Sequence, residues 1–176
     1  MKLLYIYGYG GSATGSTVTM LKRMMPEGYS IEAFTYTQDD CAKAREEILA
    51  YIEEHEIDLV MGSSLGGFIT LTLTGIRRIV VNPCWKPSVE LPKIGAKAEL
   101  VATYAPFEEA IEHPCDPELV QAYFADEDEL LGDKYIECYQ RCYDASRCYR
   151  IHSAHRLSEE GAQVIIDKLM QEFDGN

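Results

Sequence analysis

One pentapeptide, Gly62-Ser63-Ser64-Leu65-Gly66, restricts the possible folds more than any other part of this sequence. It lies between the apolar run at residues 57–61 and a helix-compatible stretch that begins at Leu65. A G-x-S-x-G pattern in this position is typical of a sharp strand-to-helix turn that presents its central serine above a sheet. We expect a Cβ at Gly62 or Gly66 to strike neighbouring backbone, and Ser64 to be strained. A Gly/Ser-rich turn without chemistry is the alternative.

Strand-like and helix-like patterns alternate along the whole chain. Apolar runs predict strands at residues 3–7, 30–37, 57–61, 78–82, 119–124 and 146–152. Helical spacing, with caps at Asp39 or Asp40 and at Ser158, predicts helices at residues 16–25, 40–54, 65–74, 134–144 and 158–173. Such alternation predicts an α/β fold: a three-layer α/β/α sandwich with a mostly parallel sheet of five to six strands.

Residues 83–117 differ from the rest of the chain. They hold most of the seven prolines and show no convincing long element, apart from a short helix near residues 106–110. A stretch of this length inside a compact domain is usually functional. With 176 residues the chain is long enough for one domain with a core and too short for two. We therefore expect a single domain over residues 1–176, with a proline-rich excursion near the functional site.

A serine nucleophile needs a general base, usually a histidine that a carboxylate orients. After a strand–turn–helix serine the expected chain order is serine, acid, histidine. Of the four histidines, His155 fits best, because it lies in a loop after the last predicted strand. His55 precedes the serine at the wrong edge of the sheet, His113 lies in the excursion, and His152 still belongs to the strand. A solvated loop histidine is the alternative for His155.

Four carboxylates, at residues 126–129, follow the fifth predicted strand. Ligands bind beyond the carboxyl ends of parallel strands, so this loop, Ser64 and His155 are expected to share one edge. Asp126 and Asp128 are both candidates for the acid, whereas Glu127 and Glu129 are expected to be solvated.

An oxyanion needs two backbone N–H donors aimed at the developing charge. The residue after the serine, Leu65, supplies one donor at the start of a helix, where the helix dipole also helps. The glycine-rich turn after the first strand supplies the other, most simply through Tyr9. Glycines at positions 8, 10 and 11 let this turn approach a ligand closely.

The same turn has two competing interpretations. Gly8-x-Gly10-x-x-Ala13 approximates a dinucleotide fingerprint, with Glu32 at about the distance of a ribose contact. The run from Gly10 to Thr17 has Walker-A spacing but lacks the lysine that reaches the phosphates. A nucleotide-binding module leaves Ser64, the acidic loop and His155 unexplained, so it ranks below a serine enzyme.

Composition limits the partners and cofactors. A net charge of −13 argues against nucleic acid or an anionic membrane as partner. The apolar N-terminus ends at Tyr7, which is too short for a signal sequence, and no run is long enough to span a membrane. Six cysteines without such a signal indicate reduced thiols in the cytoplasm. Neither the cysteines nor His152 with His155 form a convincing metal-ligand set, so we expect no metal and no cofactor.

With these residues in view, the chain resembles the α/β-hydrolase superfamily, and within it the small YqiA/YcfP-like esterases. The resemblance covers most of the length and rests on the late Asp and His and on three motifs: Leu4-Tyr5-Ile6-Tyr7-Gly8-Tyr9, the pentapeptide followed by Gly67, and Val80-Val81-Asn82-Pro83. The sequence Asp128-Glu129-Leu130-Leu131 is similar to the acid loop of many serine hydrolases, which places Asp128 before Asp126.

The resemblance implies a minimal α/β-hydrolase fold and ester hydrolysis through an acyl-enzyme. Ser64 would attack, His155 would shuttle the proton, and Asp128 would orient His155. The chain departs from the family at Tyr7, where a histidine usually organises the loop after the first strand. This change puts the geometry of the Tyr9 donor in question, and leaves the three catalytic candidates in place.

The remaining expectations concern the substrate. We expect the excursion to close a pocket lined by Phe68, Trp85 and Tyr104 together with Tyr9, and the short chain to favour a small-molecule substrate with a small acyl group. The leading interpretation is a carboxylesterase or thioesterase. The alternatives are a catalytically inactive binding protein with the same fold and, less favoured, a Rossmann-like nucleotide-binding module.

Overall fold

A six-stranded parallel sheet forms the centre of the molecule. The computed structural model describes residues 1–173. The strand order is β2-β1-β3-β4-β5-β6, and all five neighbouring pairs run parallel. The strands are β1 (Lys2–Ile6), β2 (Ser30–Glu32), β3 (Leu59–Ser63), β4 (Arg77–Val81), β5 (Val120–Glu127) and β6 (Cys148–Ala154). Because every strand points the same way, all their carboxyl ends lie at one edge, as the sequence predicted.

Helices cover both faces of this sheet. They are α1 (Ser16–Met24), α2 (Cys41–His55), α3 (Leu65–Leu71), α4 (Pro87–Glu90), α5 (Ala98–Tyr104), α6 (Glu108–Glu112), α7 (Ile136–Cys142) and α8 (Glu159–Phe173). α1 contacts α8, whereas α2 contacts α3 and α5. The predicted α/β sandwich is therefore confirmed. None of the helices in residues 1–173 has the length and apolar character needed to cross a bilayer.

The middle strands are apolar because both of their faces are covered. In β1 the four residues from Leu3 to Ile6 are buried, and β4 buries its Ile-Val-Val run completely. The edge strand β6 alternates between buried and exposed positions along its second half. This difference explains why its sequence has little apolar content and still forms a strand.

Two strands differ in length from their predictions. β2 ends at Glu32, five residues before the predicted end, because the side chains that follow bond to the turn after β1. Tyr36 Oη donates to the Tyr7 carbonyl at 2.6 Å, and Gln38 Nε2 donates to the Gly8 carbonyl at 2.9 Å. β5 continues to Glu127, with an irregularity in its pairing to β6 between Ala125 and Glu127. This extension carries the acidic loop toward the end of β6.

Residues 83–117 are more ordered than the sequence suggested. They contain α4, α5 and α6 joined by short 3-10 segments, and none of these elements exceeds seven residues. Their prolines lie at the first or second positions of several of these segments, where a missing N–H is tolerated. The predicted helix near residues 106–110 corresponds to α6 and the 3-10 turn before it.

Candidate active site

Ser64 lies at the strained turn between β3 and α3. Its backbone has φ 53° and ψ −119°, a conformation that a residue with a side chain rarely adopts. The flanking glycines are sterically required. A Cβ at Gly62 would lie 2.4 Å from the Gly66 carbonyl oxygen, and one at Gly66 would lie 2.1 Å from the Ile6 carbonyl oxygen. The turn therefore has the geometry that the pentapeptide predicted.

Backbone hydrogen bonds from three elements fix this turn. The Ser64 N–H donates to the Val81 carbonyl at 3.0 Å, and the Ser64 carbonyl accepts from the N–H groups of Phe68 and Cys84. On its other side the turn touches Gly8, where an added Cβ would lie 3.0 Å from the Ser64 Cβ. The Ser64 hydroxyl is thus held between the ends of β1, β3 and β4.

A chain of hydrogen bonds joins Ser64, His155 and Asp128. The Ser64 Oγ lies 3.0 Å from His155 Nε2, and His155 Nδ1 lies 2.9 and 3.0 Å from the two Asp128 carboxylate oxygens. The His155 side chain is 12% exposed and that of Asp128 is 2% exposed. Serine, histidine and carboxylate thus have the relative positions that a nucleophile, a general base and its orienting group require.

The acid loop holds Asp128 in its ionised form. Burial opposes ionisation, but hydrogen bonds from His155 and from the N–H groups of Leu131 and Leu130 outweigh it. Together they hold the pKa of the Asp128 carboxyl below its usual value. Both backbone donors lie at 2.9 Å from Asp128 Oδ1. A carboxylate fixed in this way can orient His155 and stabilise its protonated ring.

The second candidate acid, Asp126, belongs to a separate pair. Its carboxylate lies 3.0 Å from His152 Nδ1 and accepts from the Ser153 N–H at 3.2 Å. His152 lies within β6, as expected, and the side chains of both residues are about half exposed. The structure thus brings Asp128, and not Asp126, to His155. Glu129, the residue after Asp128, also bonds to the histidine loop, because its carboxylate accepts a hydrogen bond from the His155 N–H at 2.9 Å.

Asn82 is a site residue to which the sequence reasoning gave no role, although it lies in one of the motifs that carry the resemblance. It follows β4 with a φ of 45°, and only 2% of it is exposed. Its Nδ2 donates to the His155 carbonyl at 3.1 Å, and its Oδ1 accepts from the Ala125 N–H at 2.7 Å. Asn82 therefore connects the end of β4 to the acid strand and to the histidine loop. A polar residue directly after the buried run of β4 was the available signal.

The glycine-rich turn after β1 is held from the side by Gln38. The Gln38 amide accepts from the Gly10 N–H at 3.1 Å and donates to the Gly8 carbonyl, to which the Gly11 N–H also donates at 3.0 Å. The N–H groups of Gly10 and Gly11 are thus engaged, whereas the Tyr9 N–H stays the candidate donor to a ligand. On the other wall Leu65 opens α3, where an N–H has no partner within the helix.

Tyr7 occupies the position at which the resembling family usually has a histidine. Its ring packs against that of Tyr36 with centroids 4.8 Å apart, and the Tyr36 hydroxyl donates to the Tyr7 carbonyl. Gln38 bonds the next residue along, Gly8. The organisation that a histidine would supply within the loop is thus supplied here by Tyr36 and Gln38 from the segment after β2.

A cavity of about 460 Å³ opens beside Ser64. One wall is the glycine-rich turn with the start of α1, and the other is the loop that carries His155, Arg156 and Leu157. From the excursion, within the described part of the chain, Ile94 alone reaches the cavity. The excursion therefore borders the cavity at one point and does not cover it.

The predicted pocket residues Phe68, Trp85 and Tyr104 do not line this cavity. All three are at most 1% exposed and belong to the hydrophobic core. Phe68 and Tyr104 pack against each other, and Trp85 packs edge-on against Tyr139. The prediction was wrong because α3 turns its side chains into the sheet, and the excursion packs its aromatic residues beneath itself. Of the aromatic candidates, Tyr9 does line the cavity.

The structure gives the nucleotide and metal interpretations little support. Glu32, the candidate ribose contact, accepts a hydrogen bond from the Tyr51 hydroxyl at 2.9 Å and does not line the cavity. The glycine-rich turn packs on Ser64. Within residues 1–173, no group of three or more His, Cys, Asp or Glu side chains is placed to hold a metal ion.

Comparison with solved structures identifies the fold. Est1E from Butyrivibrio proteoclasticus, solved with ferulic acid bound, superposes with a TM-score of 0.74 at 13% identity over 99% of this chain and 90% of that chain. TT1662 from Thermus thermophilus superposes with a TM-score of 0.70 at 17% identity, over 97% of this chain and 87% of that chain. Alpha/beta hydrolase domain-containing protein 10 from mouse superposes with a TM-score of 0.68 at 15% identity, over 99% of this chain and 90% of that chain. The fold is that of the α/β hydrolases.

Comparison by sequence identifies the family. A search of the curated proteins finds no match. A family model described as "Uncharacterised protein family (UPF0227)" matches residues 2–144. Ser64, Asn82 and Asp128 lie within the matched part, and His155 follows it. The chain therefore belongs to this uncharacterised family, UPF0227, and shares the fold of the α/β hydrolases.

Proposed function

We propose that the protein is a serine hydrolase that cleaves carboxylic esters or thioesters through an acyl-enzyme. The single observation that carries the proposal is the continuous chain from Ser64 Oγ through His155 to Asp128, with all contacts between 2.9 and 3.0 Å. A structural serine needs neither this chain nor a strained backbone at the mouth of a cavity. The fold adds support, because its serine turn and sheet edge are the usual location of such a site.

In the proposed mechanism each group has a role. His155 Nε2 removes the proton from the Ser64 hydroxyl as its oxygen attacks the ester carbonyl, and Asp128 stabilises the imidazolium that forms. The Leu65 and Tyr9 N–H groups donate to the oxyanion of the tetrahedral intermediate. His155 then gives its proton to the leaving oxygen or sulfur as the acyl–oxygen or acyl–sulfur bond breaks. A water molecule, deprotonated by His155, then attacks the acyl carbonyl. His155 returns this proton to Ser64 Oγ as the acyl–Oγ bond breaks, which releases the acid and restores the serine.

Three observations bear on substrate and location. The cavity of about 460 Å³ fits a small-molecule ester, and the proposed steps need no metal or cofactor. The neighbour Est1E was solved with ferulic acid bound, which is compatible with a small-molecule carboxylic ester here. All six cysteines are free thiols, two of them buried, which favours a reducing compartment and hence the cytoplasm.

Covalent labelling tests the nucleophile directly. We expect a fluorophosphonate probe to label the wild-type protein and to leave Ser64→Ala unlabelled. Ser63→Ala is the matched control, because Ser63 also lines the cavity but bonds to the Tyr5 hydroxyl at 2.6 Å, so this variant should keep the label. Labelling that persists in Ser64→Ala contradicts the proposal. A folded wild-type protein that takes up no label would favour a binding protein with this fold.

Kinetics with 4-nitrophenyl acetate test the other two roles. We expect His155→Ala and Asp128→Asn each to lower kcat by about 10³-fold or more, since the base or its correct tautomer is lost. His152→Ala and Asp126→Asn remove the exposed neighbouring pair and should change kcat by less than about three-fold. Equal losses from Asp126→Asn and Asp128→Asn would contradict the assignment of the acid.

A further inference from the structure

The cavity beside Ser64 has an unusual charge for this protein. The chain carries 29 aspartates and glutamates, yet none of them is among the residues that line the cavity in the described part of the chain. The one lining residue with a permanent charge is Arg156. In a molecule with a net charge of −13, the residues that line the candidate active site thus carry a net positive charge, and the nearest carboxylates, Asp128 and Glu129, lie behind this lining against His155.

The Arg156 guanidinium has no partner within residues 1–173. It makes no ion pair or hydrogen bond there, and the side chain is exposed to the cavity mouth. Two other exposed arginines are paired: Arg150 with Asp133, and Arg23 with Glu159. A guanidinium presents several donors in a rigid fork that suits carboxylates and phosphates. Arg156 is therefore available to an anion that enters the cavity.

The opposite wall is polar and uncharged. It presents the side chains of Ser12, Ser16 and Thr17 beside the glycine-rich turn. Hydroxyl groups can donate to an anion, and no carboxylate is present there to repel one. A cationic substrate, by contrast, would find no counter-charge among the lining residues. Ile94 and Leu130, which are 51% and 53% exposed, supply an apolar rim for the uncharged part of a substrate.

We propose that the substrate is an ester or thioester that carries a carboxylate or phosphate group, and that Arg156 binds this anion. The inference rests on the proposed hydrolase function and names its substrate class. Arg156 lines the same cavity as Ser64 and His155, so an anion bound to it shares this cavity with the reacting bond. The anion can belong to the acyl group or to the leaving group, and both are bound by the same chemistry.

Matched ester pairs test the proposal for the acyl group. Mono-4-nitrophenyl glutarate and 4-nitrophenyl valerate have acyl chains of the same length, but the glutarate ends in a carboxylate and the valerate ends in a methyl group. We expect the wild-type protein to prefer the glutarate, and Arg156→Gln to lower the ratio of the two kcat/KM values about ten-fold. Arg156→Lys should keep part of the preference. Arg141→Gln is the control, because it removes the same charge from an exposed residue that does not line the cavity.

A second pair tests the leaving group. The acetate esters of 4-hydroxybenzoate and 4-hydroxybenzamide have leaving groups that differ mainly in charge, and comparison between variants removes their intrinsic reactivity. If Arg156→Gln lowers the ratio of kcat/KM for the benzoate ester to kcat/KM for the benzamide ester about ten-fold, the anion belongs to the leaving group. If the kcat/KM ratios of Arg156→Gln stay within about two-fold of the wild-type ratios for both ester pairs, the proposal is overturned.

Binding without turnover separates this inference from the proposed function. Ser64→Ala is titrated calorimetrically with monoethyl glutarate and with ethyl valerate, alone and combined with Arg156→Gln. A preference for the glutarate that the double variant loses supports the role of Arg156, even if no ester is hydrolysed by the wild type. Ester turnover without any carboxylate preference in binding or kinetics refutes the role of Arg156 and leaves the hydrolase proposal standing.

Discussion

Asn82 shows how one side chain can set the geometry of a site without touching the substrate. Its amide bridges the Ala125 N–H on the acid strand and the carbonyl of His155 on the base loop. The bond to Ala125 is buried and the bond to His155 is partly buried, so the loss of the amide would leave the Ala125 N–H without a partner in a buried position. The bridge requires a φ of 45°, which asparagine tolerates better than most residues. We infer that Asn82 holds His155 in register with Asp128.

Two substitutions at position 82 separate hydrogen bonding from backbone strain. Both Asn82→Gly and Asn82→Ala remove the bridge, but glycine adopts the positive φ freely. We expect both to lower kcat about ten-fold or more with little change in KM, because His155 loses its fixed position. Asn82→Ala should be less stable than Asn82→Gly by about 1 kcal/mol in urea unfolding.

A purely structural role for Asn82 makes a different prediction. If the bridge only stabilises the fold, kcat of Asn82→Gly measured well below its melting temperature should stay within about two-fold of wild type. That result would contradict the positioning role, whatever the loss of stability.

At this scale the sequence predicted some residues well and others badly. The glycines of the pentapeptide and the positions of Ser64 and His155 follow from local patterns and chain order, whereas the preference for Asp128 over Asp126 came from the family resemblance. The structure brings Ser64, His155 and Asp128 together. Their catalytic roles stay predictions until they are tested. The aromatic pocket failed because the size of a side chain does not reveal which way it points. The bonds of Asn82 are to residues distant in sequence, and Arg156 borders a cavity whose opposite wall is distant in sequence, so local patterns pointed to neither residue.

Among the elements, α4 is joined to the acid loop through one buried carboxylate. Glu90 accepts from Lys93 Nζ at 2.6 Å and from the Tyr135 hydroxyl at 2.5 Å, and it also pairs with Lys134. Lys134 and Tyr135 lie between Asp128 and α7. Burial opposes ionisation of Glu90, but these three hydrogen bonds outweigh it and lower its pKa to about 2. The excursion is thus attached to the loop that carries the acid.

This lowered pKa makes the contribution of Glu90 depend on pH. Because the folded state prefers the carboxylate, the stabilisation is complete above the ordinary pKa of about 4.5 and is lost as the pH falls toward about 2. We expect Glu90→Gln to cost about 1–2 kcal/mol near pH 7, a value reduced for the half-exposed lysines. The cost should shrink as the pH falls below about 4.5.

Urea unfolding of Glu90→Gln and wild type between about pH 7 and pH 3 measures this difference. Glu109→Gln is the control, since Glu109 is an exposed glutamate of α6, and its cost should stay below about 0.5 kcal/mol throughout. A cost of Glu90→Gln that stays constant over this range, or grows in acid, would contradict the assignment.

Elements with strong local periodicity were predicted within a few residues, whereas those set by distant contacts were not. The helix at residues 40–54 corresponds to α2, with Asp40 as its cap, because its signals are local. β2 was predicted too long because the aromatic run after it resembles a strand, but Tyr36 bonds to the turn after β1. The short helices of the excursion depend on packing and on ion pairs such as that of Lys86 with Glu112.

For the molecule as a whole, the sheet topology could be predicted from the order of strands and helices along the chain. The net charge, by contrast, has no relation to the fold. Alternating strands and helices predicted a parallel sheet, because a crossover helix between neighbouring strands leaves few other arrangements. The same rule placed the candidate site at one sheet edge. The surplus of 13 acidic over basic residues (29 minus 16) has no such structural origin. It acts through the long-range field of the molecule.

That field makes stability depend on ionic strength. At neutral pH the surplus carboxylates repel one another, and this repulsion destabilises the compact state. The screening length shortens from about 30 Å at 0.01 M salt to about 10 Å at 0.1 M. Individual surface ion pairs weaken as well, but each contributes little. We expect about 1 kcal/mol of net stabilisation between these salt concentrations, which corresponds to a rise in Tm of about 2–4 °C.

Thermal unfolding in sodium chloride and in potassium chloride at about pH 7.5 measures this rise, and agreement between the salts excludes binding of a specific ion. Near pH 4.7, where the sequence is close to neutral, the rise should vanish. A Tm that falls with salt at about pH 7.5 would mean that ion pairs such as Arg77 with Glu172 outweigh the surplus charge.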